Sequence, residues 1–312
     1  MNSIISPFSQ APTAKMSTLA DGPAISSDPV PKTDLEVLSQ EIDDVEAMYR
    51  IRAGRRVHYL TISLLPSPIL DLDTLCRPYL LIPKLPPFLN ANWITMRMYQ
   101  GSDGKVEHSL SWTPLRSIDS LWHPRKLDVL SLERIASHKA RVKEVEFEGQ
   151  RALSKVAIFE WWIPQLQRET DIYESISRNQ SPGEHSIAPA FLGHLMEQGR
   201  CIGFLMQKVD GRHPSSDDLP ACEAALRRLH RTGWIHGDAN RYNFLVERST
   251  GHVKMVDFEH AKPYDEETAQ LELQELKAEL SETTGRGAAV MVQDGVEEIS
   301  GPISYAANTL EH

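Results

Sequence analysis

The chain has 312 residues, of which 41% are hydrophobic, so it can bury one good core together with an accessory region. Its formal net charge of −10 at pH 7 argues against a general nucleic-acid-binding surface, and no nucleic-acid partner is expected. The three cysteines are scattered without a CxxC pair, which favours free thiols in a reducing compartment over a disulfide framework.

Residues 1–33 are rich in serine, proline and alanine, and we predict that they lack fixed structure. The first residues form a poor secretory signal, and the first 49 residues contain none of the arginines that a transit peptide would require. No stretch of the sequence approaches the length of a membrane span. We therefore expect an intracellular protein, cytoplasmic in location, without a membrane partner.

Residues 34–120 are predicted to form an accessory region without recognisable chemistry. Between Asp34 and Arg52 the apolar residues recur at intervals of three and four, and Gly54 follows, a pattern that predicts a helix. The rest of the region is predicted to contain a strand at 57–64, a proline-dense loop at 66–87, and a hairpin of strands at 93–99 and 105–112. The region is also a candidate surface for a protein partner.

A lysine on a predicted hairpin and a glutamate on a predicted helix form a candidate pair. Residues 142–159 contain two β-rich runs interrupted at 148–150, and Lys155 lies in the second run. Fourteen residues later, Glu169 borders the apolar stripe of a helix predicted to begin near Pro164. Glu169 can therefore lean toward Lys155, although an ordinary surface location for both residues is the alternative.

An apolar run that begins at Cys201 predicts a buried strand, with Gln207 and Val209 near its end. The next helix is predicted over residues 217–232, and Gly233 ends it. The most informative segment of the chain follows directly.

Residues 234–261 contain Asp238, Asn243 and Asp257 at intervals of five and fourteen residues. A phosphoryl-transfer site needs one carboxylate facing the attacking hydroxyl, while an amide and a second carboxylate hold magnesium against the nucleotide phosphates. An apolar, strand-like run at 252–256 leads into Asp257. The spacing therefore indicates phosphoryl transfer.

Two other interpretations of this segment stay open. In the first, the carboxylates only cap and solvate a helix, a turn and a hairpin. In the second, His236, Asp238, Asp257 and His260 bind the zinc or iron ion of a hydrolase, an arrangement that leaves Asn243 and the apolar run unexplained.

The His-Gly-Asp and Asp-Phe-Glu sequences resemble the catalytic and metal-binding loops of the protein-kinase-like superfamily, and they are similar to those of aminoglycoside phosphotransferases and choline kinases. Over residues 127–284 the chain is similar to small kinase-like domain proteins found in fungi. The matching segments are EFEGQRALSKVAIFEW, the RET helix, GFLMQKVDGR, LHRTGWIHGDANRYNFLV and VDFEHA.

This resemblance implies an α+β, two-lobed protein-kinase-like fold with a truncated C-lobe and an N-terminal β-containing accessory region. The kinase-like domain would span 121–290, divided into a small lobe at 121–205 and a large lobe at 206–290. A polar C-terminal tail would follow at 291–312.

The resemblance also implies a role for each matching residue. Asp238 would orient an acceptor hydroxyl or accept its proton, with His236 supporting the loop. Asn243 and Asp257 would hold Mg²⁺. In the small lobe and the hinge, the nucleotide would be bound by four residues: Lys155 at the phosphates, Glu169 positioning Lys155, and Gln207 and Val209 reading adenine through their backbone groups.

The implied cofactors are ATP and Mg²⁺, and the implied activity is transfer of the γ-phosphoryl group to a hydroxyl of a small molecule or an atypical protein acceptor. Two departures favour a pseudokinase that binds nucleotide or acts as a scaffold. The segment 133–139, expected to form the loop over the phosphates, contains no glycine, although glycine lets backbone N–H groups approach phosphates closely. The 55 residues after Asp257 contain no Ala-Pro-Glu element and cannot build a platform for peptide substrates.

Overall fold

The structure is a computed structural model that describes residues 28–282. Within this range 18 strands and five α-helices form two large sheets, three small sheets and a set of packed helices, so the α+β class predicted from the sequence is confirmed. None of the helices in residues 28–282 combines the length and the apolar character needed to cross a membrane.

The N-terminal part of this range forms a five-stranded sheet with two short helices. Its elements are β1 (Pro29–Val30), β2 (Leu35–Ile42), β3 (Glu46–Ala53), β4 (Arg56–Ser63), α1 (Leu72–Cys76), α2 (Pro78–Lys84), β5 (Phe88–Leu89), β6 (Thr95–Gln100) and β7 (Val106–Ser111). The sheet has the order β2-β3-β4-β6-β7, in which only β4 and β6 are parallel. The predicted strand at 57–64 and the predicted hairpin are confirmed.

The helix predicted between Asp34 and Arg52, part of the accessory region 34–120, is wrong. The segment forms the antiparallel pair β2–β3, joined by a turn in which Asp43 Oδ1 accepts hydrogen bonds from the backbone N–H groups of Val45 and Glu46. This side chain offers the backbone an alternative to helical bonding at the middle of the segment. In β3 the apolar residues Ala47, Tyr49, Ile51 and Ala53 occupy alternate positions and are buried, which is the pattern of a strand.

Two segments predicted to be irregular are ordered. β1 pairs with β5, and Lys32 Nζ donates hydrogen bonds to the carbonyl oxygens of Pro83 at 2.6 Å and Leu85 at 2.7 Å, so the end of the predicted disordered tail 1–33 is fixed. The proline-dense segment forms α1 and α2, and Asp71 caps α1 by accepting a bond from Thr74 N at 2.9 Å. Residues 1–27 and the predicted tail at 291–312 lie outside the described residues.

The middle of the chain forms a six-stranded sheet with one long helix. Its elements are β8 (Lys126–Asp128), β9 (Glu133–Lys139), β10 (Val142–Phe147), β11 (Gln150–Val156), α3 (Ile163–Asn179), β12 (Phe191–Glu197) and β13 (Arg200–Gln207). The order is β8-β12-β13-β11-β10-β9, with β8 and β12 parallel. The β10–β11 hairpin and the helix near Pro164 are confirmed. The segment 133–139, expected as a loop, is the edge strand β9.

The last part of the described chain contains short strands between two helices. Its elements are β14 (Gly211–Arg212), α4 (Leu219–Arg231), β15 (Trp234–Ile235), β16 (Phe244–Glu247), β17 (Val253–Met255), β18 (Lys262–Pro263) and α5 (Glu266–Ser281). β14, β16 and β17 form one small sheet, and β15 pairs with β18. The helix predicted over 217–232 is confirmed as α4 with a preceding 3₁₀ turn.

Both faces of the six-stranded sheet are covered, because alternate residues of a strand point to opposite faces. On one face Ala152 and Leu205 pack against Val57 of the N-terminal sheet. On the other face Phe204 and Met206 join the core formed with α3, α4 and α5. The six-stranded sheet is therefore the middle layer of the molecule.

A buried ion cluster joins the two sheets. Glu197 at the end of β12 accepts a hydrogen bond at 2.7 Å from Nε of Arg50 on β3, and both side chains are almost fully buried. The Tyr59 hydroxyl donates to the other Glu197 oxygen, which Arg200 also approaches at 3.3 Å. Each charge in this cluster has a partner of opposite sign, as burial of charge requires.

We predict that Glu197→Gln lowers the free energy of unfolding by about 3 kcal/mol, because it leaves Arg50 buried without a counter-charge. Glu36→Gln is the matched control, since Glu36 pairs with Arg52, which lies on β3 as Arg50 does but on the exposed surface. This variant should lose less than about 1 kcal/mol of unfolding free energy. Urea unfolding followed by fluorescence measures both. Equal effects of the two substitutions would contradict the role given to the buried cluster.

Candidate functional site

The loop between β15 and β16 holds Asp238 by two asparagines. Asn243 Nδ2 donates to the backbone oxygen of Asp238 at 2.8 Å and to its Oδ2 at 2.9 Å, and Asn240 Nδ2 donates to Oδ1 at 2.9 Å. Each carboxylate oxygen of Asp238 therefore has a fixed donor, which sets the direction of the side chain. Asp238 and Asn243, separated by five residues in the sequence, form a direct contact.

Gly237 is required where this loop crosses the segment that contains Asp257. Its backbone has a φ of +76°, and a Cβ built on it would lie 2.1 Å from the carbonyl oxygen of His260. A side chain therefore cannot be accommodated without moving one of the two loops. The glycine of the His-Gly-Asp sequence thus permits the close approach of the two parts of the site.

His236 connects the loop that contains Asp238 to the segment that contains Asp257. Its Nε2 lies 3.1 Å from the carbonyl oxygen of Val256, and a carbonyl can only accept, so Nε2 carries the proton. Burial lowers the pKa of the ring, which is therefore neutral at pH 7. Val256 N in turn donates to the carbonyl oxygen of Asn243 at 3.0 Å, so residue 256 is bonded to both ends of the loop.

Glu272 of α5 anchors the loop, and sequence reasoning missed it. Its Oε1 accepts a hydrogen bond from Gly237 N at 2.7 Å, and its Oε2 accepts from His236 N at 3.3 Å and from His230 Nε2 at 2.9 Å. Burial opposes ionisation of Glu272, but these donors outweigh it and lower its pKa. The available signal was the position of Glu272 on α5, three residues after the buried Ala269 and four before the buried Leu276, and surface glutamates can share such a position.

Asp257 follows β17 in the left-handed region, with φ 64° and ψ 61°, a conformation that is strained for a residue with a side chain. In this conformation the Asp257 carboxylate contacts Lys155 of β11. Lys155 Nζ donates to Asp257 Oδ1 at 2.8 Å and to Glu169 Oε2 of α3 at 2.7 Å. The predicted pairing of Lys155 and Glu169 is thus present in the geometry, and Asp257 shares it.

A third carboxylate completes this arrangement. Glu259 Oε1 lies 2.7 Å from Lys155 Nζ, an ionic approach whose angle does not suit a hydrogen bond, so this buried oxygen lacks a donor. We refer to Glu169, Asp257 and Glu259 as the carboxylate cluster. Their ligand oxygens all lie within 4.8 Å of one another, a separation compatible with a divalent cation bound by oxygen.

The pKa values of Lys155 and of the carboxylates around it shift in different directions. Burial raises the pKa of Glu169 to about 7, and the ammonium of Lys155 offsets this only in part. Burial also opposes ionisation of Asp257, but Lys155 and Lys139 outweigh it and lower its pKa. For Lys155 burial acts to lower the pKa, and the three surrounding carboxylates raise it instead. Lys155 is therefore charged, and Glu169 is the member that takes up a proton near neutral pH.

The turn between β9 and β10 reaches the cluster from the edge of the sheet. Lys139 Nζ donates to Asp257 Oδ2 at 3.2 Å, and Arg141 donates to Glu259 Oε2 at 2.8 Å. Arg168 of α3 donates to the backbone oxygen of Glu259 at 2.6 Å. Three cations from two elements thus surround the Asp-Phe-Glu segment.

Gln207 lies away from the cluster at the end of β13, and Val209 follows two residues later. Gln207 pairs with Ala152 in the β11–β13 ladder, three residues from Lys155, which corresponds to about 10 Å along the strand. Its backbone N–H is already bonded to the carbonyl oxygen of Ala190 at 2.9 Å. The structure therefore brings six of the eight predicted site residues together, while Gln207 lies at the end of β13 and Val209 follows that strand.

A second charged group lies between those two ends. Glu144 of β10 is opposite Leu153 in the β10–β11 ladder, on the same face as Lys155. Its buried carboxylate accepts hydrogen bonds from Lys208 at 2.8 Å and Arg151 at 2.7 Å, and it lies 3.0 Å from His138 Nε2. Bonding to Lys208 and Arg151 lowers the pKa of Glu144 to about 2. This part of the sheet face that carries Lys155 is therefore polar.

A cavity of about 290 Å³ opens beside Asp238. Its walls come from the loop that contains Asp238 and from the side of α5 that carries Glu272, Glu275 and Leu271, with Lys262 at one end. A group entering this cavity would therefore meet the Asp238 carboxylate.

Comparison of the chain with protein-family models and with curated proteins found no match. The assignment of a function consequently depends on the geometry of the site.

We predict that Gly237→Ala lowers the free energy of unfolding by more than about 2 kcal/mol, because the added Cβ collides with the His260 carbonyl. Gly251→Ala is the matched control. Gly251 has nearly the same backbone, with φ +74°, but no atom within 4 Å of the added Cβ, so only the conformational cost of about 1 kcal/mol applies. Similar losses in urea unfolding would show that the close approach is not what requires glycine.

A second prediction concerns pH in the absence of divalent metal. Folded Glu169 keeps its proton up to about pH 7, whereas in the unfolded chain it ionises near its ordinary value of 4.5. Raising the pH from 4.5 to 7 therefore favours the unfolded state, and the stabilisation lost reaches about 3 kcal/mol. Glu169→Gln cannot titrate, so the wild type should lose stability relative to this variant as the pH rises from about 4.5 to about 7. Parallel stability curves for the two proteins would contradict the raised pKa.

Proposed function

We propose that the protein is an ATP- and Mg²⁺-dependent phosphotransferase with a two-lobed protein-kinase-like fold and a truncated C-lobe. In this proposal it transfers a γ-phosphoryl group to a hydroxyl of a small molecule or an atypical protein acceptor. The cleft between the six-stranded sheet and the helical part would hold the nucleotide.

The observation that carries the proposal is that Lys155 contacts Glu169 and Asp257 at once, next to a loop in which Asn243 contacts Asp238. Phosphoryl transfer requires these same parts: a lysine for the phosphates, a glutamate that positions it, two metal ligands and a carboxylate for the acceptor. The alternative metal-hydrolase interpretation fits less well. His236 donates Nε2–H to a backbone carbonyl and is fully buried, so it is committed to supporting the loop.

Each residue then has a role in positioning and charge stabilisation, which supply most of the catalysis of this reaction. Asp238 orients the acceptor hydroxyl or accepts its proton, and its contact with Asn243 fixes its direction. Asp257 and Asn243 supply a carboxylate and an amide, oxygen ligands of the kind Mg²⁺ prefers, and the ion would neutralise phosphate charge. Lys155 binds the phosphates, and Glu169 holds Lys155.

The cavity beside Asp238 supports a small acceptor. Its volume of about 290 Å³ lies near the lower end of the range for small-molecule sites. A hydroxyl placed there would lie against the carboxylate that is proposed to receive its proton.

The second candidate is a pseudokinase that acts as a scaffold, and one observation favours it. The charged group around Glu144 lies on the cleft face of the sheet between Lys155 and the hinge, where a nucleotide base would need an apolar surface. In this case the accessory region 34–120 would supply the surface for a protein partner.

We predict that ATP with Mg²⁺ raises the melting temperature of the wild type and that Asp257→Asn removes this shift. A ligand at a hundred times its dissociation constant stabilises by about 2.7 kcal/mol, enough for a clear shift. Glu259→Gln should retain more of the shift than Asp257→Asn does. Asp103→Asn, in a hairpin of the N-terminal sheet, is the charge-matched control and should retain all of it.

Two outcomes separate the candidates. A shift that depends on Mg²⁺ and on Asp257 supports the enzyme and directs the next step to a screen of hydroxyl-bearing acceptors. No shift at millimolar ATP would contradict the nucleotide site and leave the scaffold as the better proposal.

A further inference from the structure

The turn of the β9–β10 hairpin places two positively charged side chains against the carboxylate cluster. Its sequence is Lys139-Ala140-Arg141, and the two cations contact Asp257 and Glu259. Without glycine, the amide N–H groups of this turn cannot approach a phosphate as closely as those of a glycine-rich loop. A side chain is therefore the group by which this turn can contact an anion.

The two cations are held with different firmness. The Arg141 guanidinium stacks 4.0 Å from the centre of the Trp162 ring and is mostly buried. The Lys139 side chain is 46% exposed, and within residues 28–282 its ammonium forms one ion pair, at 3.2 Å. Because the ammonium is exposed and the contact is long, the pair contributes little to stability, so Lys139 can leave Asp257 at low cost.

The charge at the carboxylate cluster determines when the Lys139 ammonium leaves Asp257. The carboxylate cluster contacts three side-chain cations, Lys155, Arg141 and Lys139. A divalent cation on Asp257 would face the Lys139 ammonium at the same carboxylate, where like charges repel. Phosphate oxygens that arrive with the metal offer the released ammonium stronger, charge-assisted hydrogen bonds.

We propose that Lys139 is a phosphate-binding residue that serves as the counter-ion of Asp257 while the cleft is empty. When a divalent cation occupies Asp257, the Lys139 ammonium moves to the terminal phosphates of a polyphosphate ligand. The inference rests on the proposed function for the identity of that ligand. One exposed lysine would then bind the phosphates, as backbone amides do in a glycine-rich loop.

The test measures two affinities in the full-length protein, in the wild type and in Lys139→Ala and Lys139→Gln. The first is the affinity for Mn²⁺ alone, followed by the electron paramagnetic resonance signal of the free ion. The second is the affinity for inorganic tripolyphosphate and for ATP with Mg²⁺, followed by calorimetry. Lys105→Ala is the control, because Lys105 is also half of an exposed Lys–Asp pair at a hairpin turn, between β6 and β7 of the N-terminal sheet.

Both Lys139 variants should bind Mn²⁺ about two- to fivefold more tightly, since the competing ammonium is gone. They should bind both phosphate ligands about tenfold more weakly, since a charge-assisted hydrogen bond is lost. Lys105→Ala should match the wild type in all measurements.

The outcomes distinguish this inference from the proposed function. If the wild type binds tripolyphosphate but not ATP, and the variants change as expected, the Lys139 inference stands and the nucleotide function falls. If the wild type binds ATP and the Lys139 variants bind it equally well, or if Lys105→Ala has the same effect, the Lys139 inference falls and the function stands. A wild type that binds neither phosphate ligand overturns both.

Discussion

The site depends on one buried ammonium shared by three carboxylates. Glu169, Asp257 and Glu259 come from a helix and from the segment after β17, and without Lys155 between them their mutual repulsion in a buried setting would drive these elements apart. The ion pairs therefore connect the six-stranded sheet to the helical part of the molecule. They also fix the local electrostatics, because each carboxylate of the cluster already contacts at least one cation.

Around this ammonium, backbone conformation sets the distances. Asp257 adopts a left-handed conformation, and Gly237 leaves room for the neighbouring carbonyl, so two loops meet more closely than ordinary side chains would permit. Strain of this kind persists only where surrounding bonds over-determine the conformation. Here Glu272 bonds the amide of Gly237, and His236 bonds the residue before Asp257, so the loops are held from two sides.

The sequence supported some of these conclusions and missed others for definite reasons. The intervals between Asp238, Asn243 and Asp257 located the site because the geometry there is set by short loops and one hairpin. The helix expected between Asp34 and Arg52 failed because a spacing of three and four residues also fits a strand pair with a turn at Asp43. The contact of Lys139 with Asp257 joins residues 118 apart in the sequence, and no local pattern predicts such a contact. The roles assigned to the site residues stay predictions.

Because the N-terminal sheet covers one face of the six-stranded sheet, the strands of that sheet differ in how easily they open. Strands in the middle of the sheet are enclosed between two cores and joined to the outer sheet by the Arg50–Glu197 pair, so their amide hydrogens exchange only when much of the fold opens. β9 is an edge strand with mostly exposed residues. It can separate from β10 in a small, local opening, and its amide hydrogens should therefore exchange faster than those of the central strands β11 and β13.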